Sequence, residues 1–205
     1  MQSPPCLLDK HIREALKRTL RKQDSAAAII DELPLMRGKG RADLAFVNGE
    51  LRGFEIKSEA DSLIRLGMQT ENYESVFEFN NIVAAPKHLE LASRRLPPTW
   101  GIIEAFRALS GKTKLIPRRP AQRNHNLVNR ALARLLWKDE CLSILRRMEI
   151  EIRPHTPVIE LWNLVEALGT PLLCFEVREA LKRRHAKVVA RQTPYDGLHT
   201  TVAIE

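Results

Sequence analysis

The chain has 205 residues, 44% of them apolar and 28% charged, with a formal net charge of +8. This composition supplies a core and argues against disorder, and no apolar run approaches the ~20 residues of a membrane span. Three widely separated cysteines, Cys6, Cys141 and Cys174, form no CxxC pair, which excludes a disulfide scaffold or a zinc ribbon. With no signal-peptide apolar segment near the start, the expected location is the cytoplasm. The charge is uneven. Residues 1–106 hold 15 Lys+Arg and 15 Asp+Glu, whereas residues 107–205 hold 18 and 10, so the excess lies in the back half, which is expected to favour a polyanion.

In chain order, Leu8, Ile12, Leu16 and Leu20 recur at helical spacing and predict an amphipathic helix over residues 7–23 with a basic outer face. The apolar run 26–30 predicts a short strand that delivers Asp31 and Glu32 into a loop, followed by the basic, glycine-rich loop 36–41. Strands over 42–47 and 51–58 flank Asn48-Gly49, the strongest hairpin signal in the chain. A helix is expected over 59–79, capped by Ser58 and Asp61, with Leu63, Leu66, Tyr73, Val76 and Phe77 as its buried stripe. A buried strand over 81–85, a short helix over 87–96 and a strand pair over 101–106 and 113–117 come next. Beyond residue 120 the pattern is helical, near 127–137, 139–148, 157–168 and 175–190. Trp137 and Trp162 fall on apolar stripes and are expected in the core.

Side-chain parity brings three polar residues together. A three-residue loop 47–49 with Gly49 left-handed pairs Phe46 with Glu50 and sets Asp43, Glu55 and Lys57 on one face of the hairpin. Leu44, Phe46, Phe54 and Ile56 then share the other face, and Ala45 and Gly53 keep the polar side open. Two carboxylates beside an amine suit Mg²⁺, which takes hard oxygen ligands, keeps several waters and can activate one of them. The lysine can stabilise developing negative charge. The same spacing also fits a partly buried Glu55–Lys57 ion pair with Asp43 capping a turn.

Asp43…Glu55-Ile56-Lys57 resembles the signature of the PD-(D/E)XK nuclease superfamily, and Gln69-x-x-x-Tyr73 resembles the QxxxY motif of its RecB-type branch. The longer string GRADLAFVNGELRGFEIKSEADSLIRLGMQTENY is similar to an uncharacterised bacterial group of that superfamily, and the likeness covers roughly residues 8–120. One departure is Ala42, which stands where the superfamily's name has proline. The resemblance implies an α/β (α+β) fold. A restriction-endonuclease-like core over 1–120, with a mixed central sheet flanked by helices, would be followed by a smaller all-helical, basic domain over 121–205. It implies Asp43 and Glu55 as metal ligands, Lys57 as the catalytic amine and Glu32 as a further ligand or water-positioning group. Gln69 and Tyr73 would reach toward the substrate, and Arg41 and Lys39 would touch phosphate. The implied activity is Mg²⁺-dependent hydrolysis of phosphodiester bonds, with Mn²⁺ expected to substitute and DNA the expected substrate. A homodimer or a partner protein is compatible with it, a membrane is not. The alternative is a non-catalytic nucleic-acid- or protein-binding module that keeps the fold.

Three further signals are weak. Ser110-Gly111-Lys112-Thr113 lacks the upstream glycine of a phosphate-binding loop, Asn124-His125-Asn126 lacks a partner histidine, and the basic helix near residues 177–191 reads equally as a backbone contact or a solvated face.

Overall fold

A computed structural model describes residues 6–38 and 40–192. The protein is mixed α/β, built on a six-stranded sheet in the order β1-β2-β3-β4-β5-β6 and flanked by helices. The strands are β1 (Ala28–Leu35), β2 (Gly40–Val47), β3 (Leu51–Lys57), β4 (Phe79–Ala84), β5 (Gly101–Arg107) and β6 (Thr113–Arg119). Pairing is antiparallel for β1–β2, β2–β3 and β5–β6, and parallel for β3–β4 and β4–β5. The helices are α1 (Asp9–Gln23), α2 (Leu66–Glu74), α3 (Leu89–Arg95), α4 (Asn129–Ala133), α5 (Lys138–Arg147), α6 (Val158–Glu166) and α7 (Thr170–Gln192). No helix among the described residues is long and apolar enough to cross a membrane.

Each face of the sheet buries its own apolar set. On one face Ile12, Leu16 and Leu20 of α1 pack on Leu44, Phe46, Phe54, Ile56 and Val83. Strand alternation separates these from Ala45, Val47, Leu51, Ile82 and Ala84, which join Tyr73, Phe77, Trp100 and the helices beyond residue 128 in a second cluster. Residues from α4, α5, α6 and α7 thus share one core with the sheet.

The hairpin keeps the expected parity but not the expected turn. Val47 pairs with Leu51 and Phe46 with Arg52, so the loop is residues 48–50 and every pairing lies two residues away from the predicted one. Gly49 is not left-handed. The turn is instead held by the Asn48 side chain, which accepts the Glu50 backbone N–H at 3.1 Å, so a local side-chain hydrogen bond does the work assigned to glycine. Gly53 has a different role. A Cβ there would lie 2.5 Å from the Phe77 ring, and Phe77 fills the space that the sequence left open beside the polar face.

The helix expected over 59–79 spans only Leu66–Glu74. Upstream, Asp61 accepts the Ser58 backbone N–H and hydroxyl, so the predicted helix cap closes a separate turn. β1 runs longer than expected, through Pro34, which an edge strand tolerates. Trp137 is exposed rather than in the core: it stands at the N-cap of α5, and the Arg184 guanidinium covers its ring at 4.2 Å. Trp162 is partly buried and donates its indole N–H to Leu136 O at 3.0 Å.

Buried Glu78 ties the two halves of the chain together. It accepts Leu51 N–H at 2.9 Å, Arg123 at 2.9 Å and Arg178 at 2.7 Å. Asn124, buried as well, donates to Glu74 O and Phe77 O, satisfying carbonyls left open where α2 ends. Glu78→Ala should therefore cost about 3–5 kcal/mol, since it strands the largely buried Arg178 charge. Urea unfolding of the variant beside the wild type measures it.

Candidate active site

β2 and β3 part company where the polar residues gather. Their ladder ends at Leu44–Phe54, and side chains carry the next connections. The Asp43 backbone N–H donates to the Tyr73 hydroxyl at 3.0 Å, and that hydroxyl donates to Phe54 O at 3.1 Å. Asp43 Oδ2 in turn accepts the Ile56 backbone N–H at 2.7 Å. Continued by one residue, the register sets Asp43 opposite Glu55, and the β1–β2 register sets Glu32 opposite Asp43. Three carboxylates thus stand at one level of three adjacent strands.

Glu55 and Lys57 lie deep, at 1% and 5% exposure. Lys57 Nζ is 2.7 Å from Glu55 Oε1. Gln69, from α2, donates its amide N–H to the same carboxylate oxygen and accepts Lys57 Nζ at 3.0 Å, so its amide locks the orientation of the pair. Glu55 Oε2 is buried without a hydrogen-bond partner. Burial, reinforced by the negative charge of Glu55, pushes the Asp43 carboxyl up to about 7, against the opposing pull of the Ile56 N–H, Arg13 and Lys57.

Glu32 sits on β1 with φ 54°, a left-handed conformation rare for a non-glycine residue. Its carboxylate is held by Arg41 and by Arg13 Nη2 at 2.9 Å. Arg13, from α1, also donates to Asp43 O and to Asp9, and its Nη2 is 4.0 Å from Asp43 Oδ1. Burial works against the Arg13 charge, but the hydrogen bond and field of Asp9, with Asp43 and Glu32, more than offset it. The sequence marked Arg13 only as part of a basic helix face; its spacing of four from Asp9 was the available signal.

A cleft of about 460 Å³ opens over this group, lined by Arg41, Asp43, Arg65, Met68, Gln69 and Asn72. Glu55 and Lys57 lie behind Gln69 rather than on its wall. A larger cleft of about 780 Å³, between α1, β1 and α7, contains none of Asp43, Glu55 and Lys57. The structure therefore brings Asp43, Glu55, Lys57 and Gln69 together, with Glu32 and Arg41 joined to them through Arg13. It does not place Tyr73 in reach of a substrate. That ring is fully buried against Phe77 and Trp100, at centroid distances of 5.1 and 5.5 Å, and its hydroxyl is spent on the two strands. Lys39 lies outside the described residues. Of the basic helix α7, Arg178, Lys182 and Arg184 pair with Glu78, Glu179 and Glu140, which removes much of its free charge.

Among the described residues no set of three or more His, Cys, Asp and Glu side chains is arranged to hold a metal ion. Two carboxylates do suit a divalent cation that keeps several waters. Asp43 is raised chiefly by burial and then by the charge of Glu55, and Glu55 Oε2 accepts no hydrogen bond among the described residues; a cation between the two would relieve both, so Asp43 and Glu55 fit such an ion.

Two substitutions test this geometry. Tyr73→Phe leaves Asp43 N–H and Phe54 O without their shared partner and should cost about 1–3 kcal/mol in urea unfolding. Because the native Asp43 carboxyl is raised from 3.8, the folded state binds the extra proton, so stability is full below that value and falls as pH rises through about 7. In metal-free buffer Asp43→Asn should match the wild type in acid and exceed it above neutral pH by up to about 4 kcal/mol. Denaturant midpoints across that range measure the gap.

A family model described as bacteriophage P4 protein cII matches residues 8–191. Protein cII of Enterobacteria phage P4 is 41% identical over 100 residues, which make up 48% of this chain and 38% of the phage protein, so the chain spans well under half of that relative. A solved structure, the SPO1766 protein of unknown function from Silicibacter pomeroyi, is similar at 18% identity and a TM-score of 0.40, over 74% of this chain and 97% of the other. The match of the family model along almost the whole described length places this chain in the bacteriophage P4 protein cII family.

Proposed function

We propose that the protein is a divalent-metal-dependent nuclease of the PD-(D/E)XK type. In this reading α1 to β4 form the restriction-endonuclease-like core, and the helices beyond residue 120 form a basic unit that grips nucleic acid, with DNA in the cytoplasm as the substrate. One observation carries the reading: Asp43 and Glu55 occupy facing positions where β2 and β3 splay apart, with Lys57 Nζ 2.7 Å from Glu55. A nearly fully buried ion pair is a poor way to stabilise a fold, because each ion loses several kcal/mol of hydration. Such a pair beside a partnerless carboxylate oxygen suits chemistry better than architecture.

Asp43 and Glu55 would hold Mg²⁺ or Mn²⁺, which supplies Lewis-acid stabilisation of the charge that builds on phosphoryl oxygens. Lys57 presents an ammonium group whose direction is set by Gln69 and Glu55, ready to stabilise that charge without reorganising. Gln69 is a positioning residue, since its amide is committed to the pair. Arg41 and exposed Arg65, both on the cleft wall, are placed to meet phosphates flanking the cut.

The test is cleavage of plasmid and single-stranded DNA with Mg²⁺ or Mn²⁺. Asp43→Asn and Lys57→Met should each lower the rate by about 10²-fold or more, with circular dichroism confirming that both variants fold. Unchanged cleavage in both removes the site assignment. Tight, salt-dependent binding with no product under either metal would favour a binding module that keeps the fold.

A further inference from the structure

A second cluster of cations lies on the C-terminal helices. Lys138, Leu142 and Arg146 stand four residues apart on α5 and so share one face of that helix. The segment from Ile150 to Thr156 returns along this face, and between the two is a cleft of about 440 Å³. Its charged walls are Lys138 and Arg146 from the helix and Arg153 from the segment, with the His155 ring beside them. No carboxylate among the described residues lines it.

These four side chains are exposed, and three features set them apart from the basic residues around them. None of the four side chains has an ion-pair or hydrogen-bond partner among the described residues, although their neighbours do: Arg147 pairs with buried Glu176, and Arg184 with Glu140. Lys138 opens α5, at the helix end whose dipole is already positive, so the fold sets its charge against the helix rather than with it. The returning segment is bracketed by two left-handed non-glycine residues, Glu149 at φ 56° and His155 at φ 64°. Backbone strain of that kind persists where surrounding structure holds a particular shape.

We propose that this cleft binds the phosphate of a nucleotide. Two guanidinium groups and an ammonium group around one opening match the several oxygens of a phosphate, which planar guanidinium groups can engage in pairs. Leu142, Ile150 and Ile152 give the cleft an apolar floor suited to the flat face of a base, and the volume falls in the range of small-molecule sites. The nucleotide is either free or part of a strand; phosphate recognition is common to both. The site is independent of any metal held by Asp43 and Glu55.

Calorimetric titration of the full chain in EDTA, with adenosine monophosphate, adenosine and inorganic phosphate as probes, tests the proposal. The monophosphate should bind and adenosine should not. Reversing charge in the cleft with Arg146→Glu plus Arg153→Glu should weaken the monophosphate at least about tenfold. The exposed pair Lys112→Glu plus Lys114→Glu, on the β5–β6 hairpin, should leave it within about twofold. Binding lost equally in both double variants would reduce the effect to general basicity and overturn the site. So would a monophosphate that binds no better than adenosine. A short single-stranded oligonucleotide that displaces the monophosphate identifies strand phosphates as the source, and one that does not identifies the free nucleotide; both outcomes support the cleft.

Discussion

The hydroxyl of Tyr73, wedged between two strands that have stopped pairing, sets the geometry of everything around it. Beyond Leu44–Phe54 the β2–β3 ladder would ordinarily continue through backbone bonds, and instead Asp43 N–H reaches Phe54 O through Tyr73. Asp43 Oδ2 then replaces a backbone acceptor for Ile56 N–H. A side chain used as a rung of the ladder is fixed in orientation to a degree that no surface carboxylate reaches. Buried polar groups must find partners, and here that requirement aims Asp43 at Glu55. Gly53 contributes from beneath, since only a residue without a side chain lets Phe77 approach and α2 settle where Tyr73 can reach the strands.

The same arrangement makes the site electrostatically expensive. Glu32, Asp43 and Glu55 lie side by side, and the protein neutralises them unevenly. Glu32 is covered by Arg13 and Arg41. Glu55 has Lys57 and the Gln69 amide on one oxygen and no hydrogen-bond partner on the other. Asp43 is left with a distant guanidinium and a raised proton affinity. Positive charge is therefore sparser at Asp43 than at Glu32, which divides the acids into two environments. Arg13 does the dividing. It is carried by α1, which packs on the opposite face of the sheet, so an apolar contact on one side determines charge balance on the other.

Much of this was readable from residue order. The alternation of Asp43 and Ala45 against Leu44 and Phe46 fixed which face each side chain would take, and that survived a two-residue error in register because parity repeats every second residue. The error came from reading Asn48-Gly49 as a glycine turn when the Asn48 side chain holds it. The helical periodicity starts too early for α2 because Leu63 and Leu66 continue an apolar rhythm through a turn that Ser58 and Asp61 close locally. Spacing puts Tyr73 on the buried stripe of its helix, where it lies, whereas the motif resemblance directs its hydroxyl to a substrate and the fold commits it to two strands. The contacts of Arg13 with Glu32 and Asp43 leave no local pattern; local spacing shows only its pairing with Asp9. Its partners Glu32 and Asp43 come from distant chain segments, and only the folded sheet brings them together.

Glu78 bears on how this protein can be inherited. It sits just ahead of β4, yet two of its three partners, Arg123 and Arg178, come from beyond residue 120. A recombination event that exchanged the back of the gene alone would leave an anion in the interior with its counter-charges gone. Segments joined this way constrain one another's sequence. The match to the cII family model, from residue 8 to 191, takes in Glu78 and both of its counter-charges.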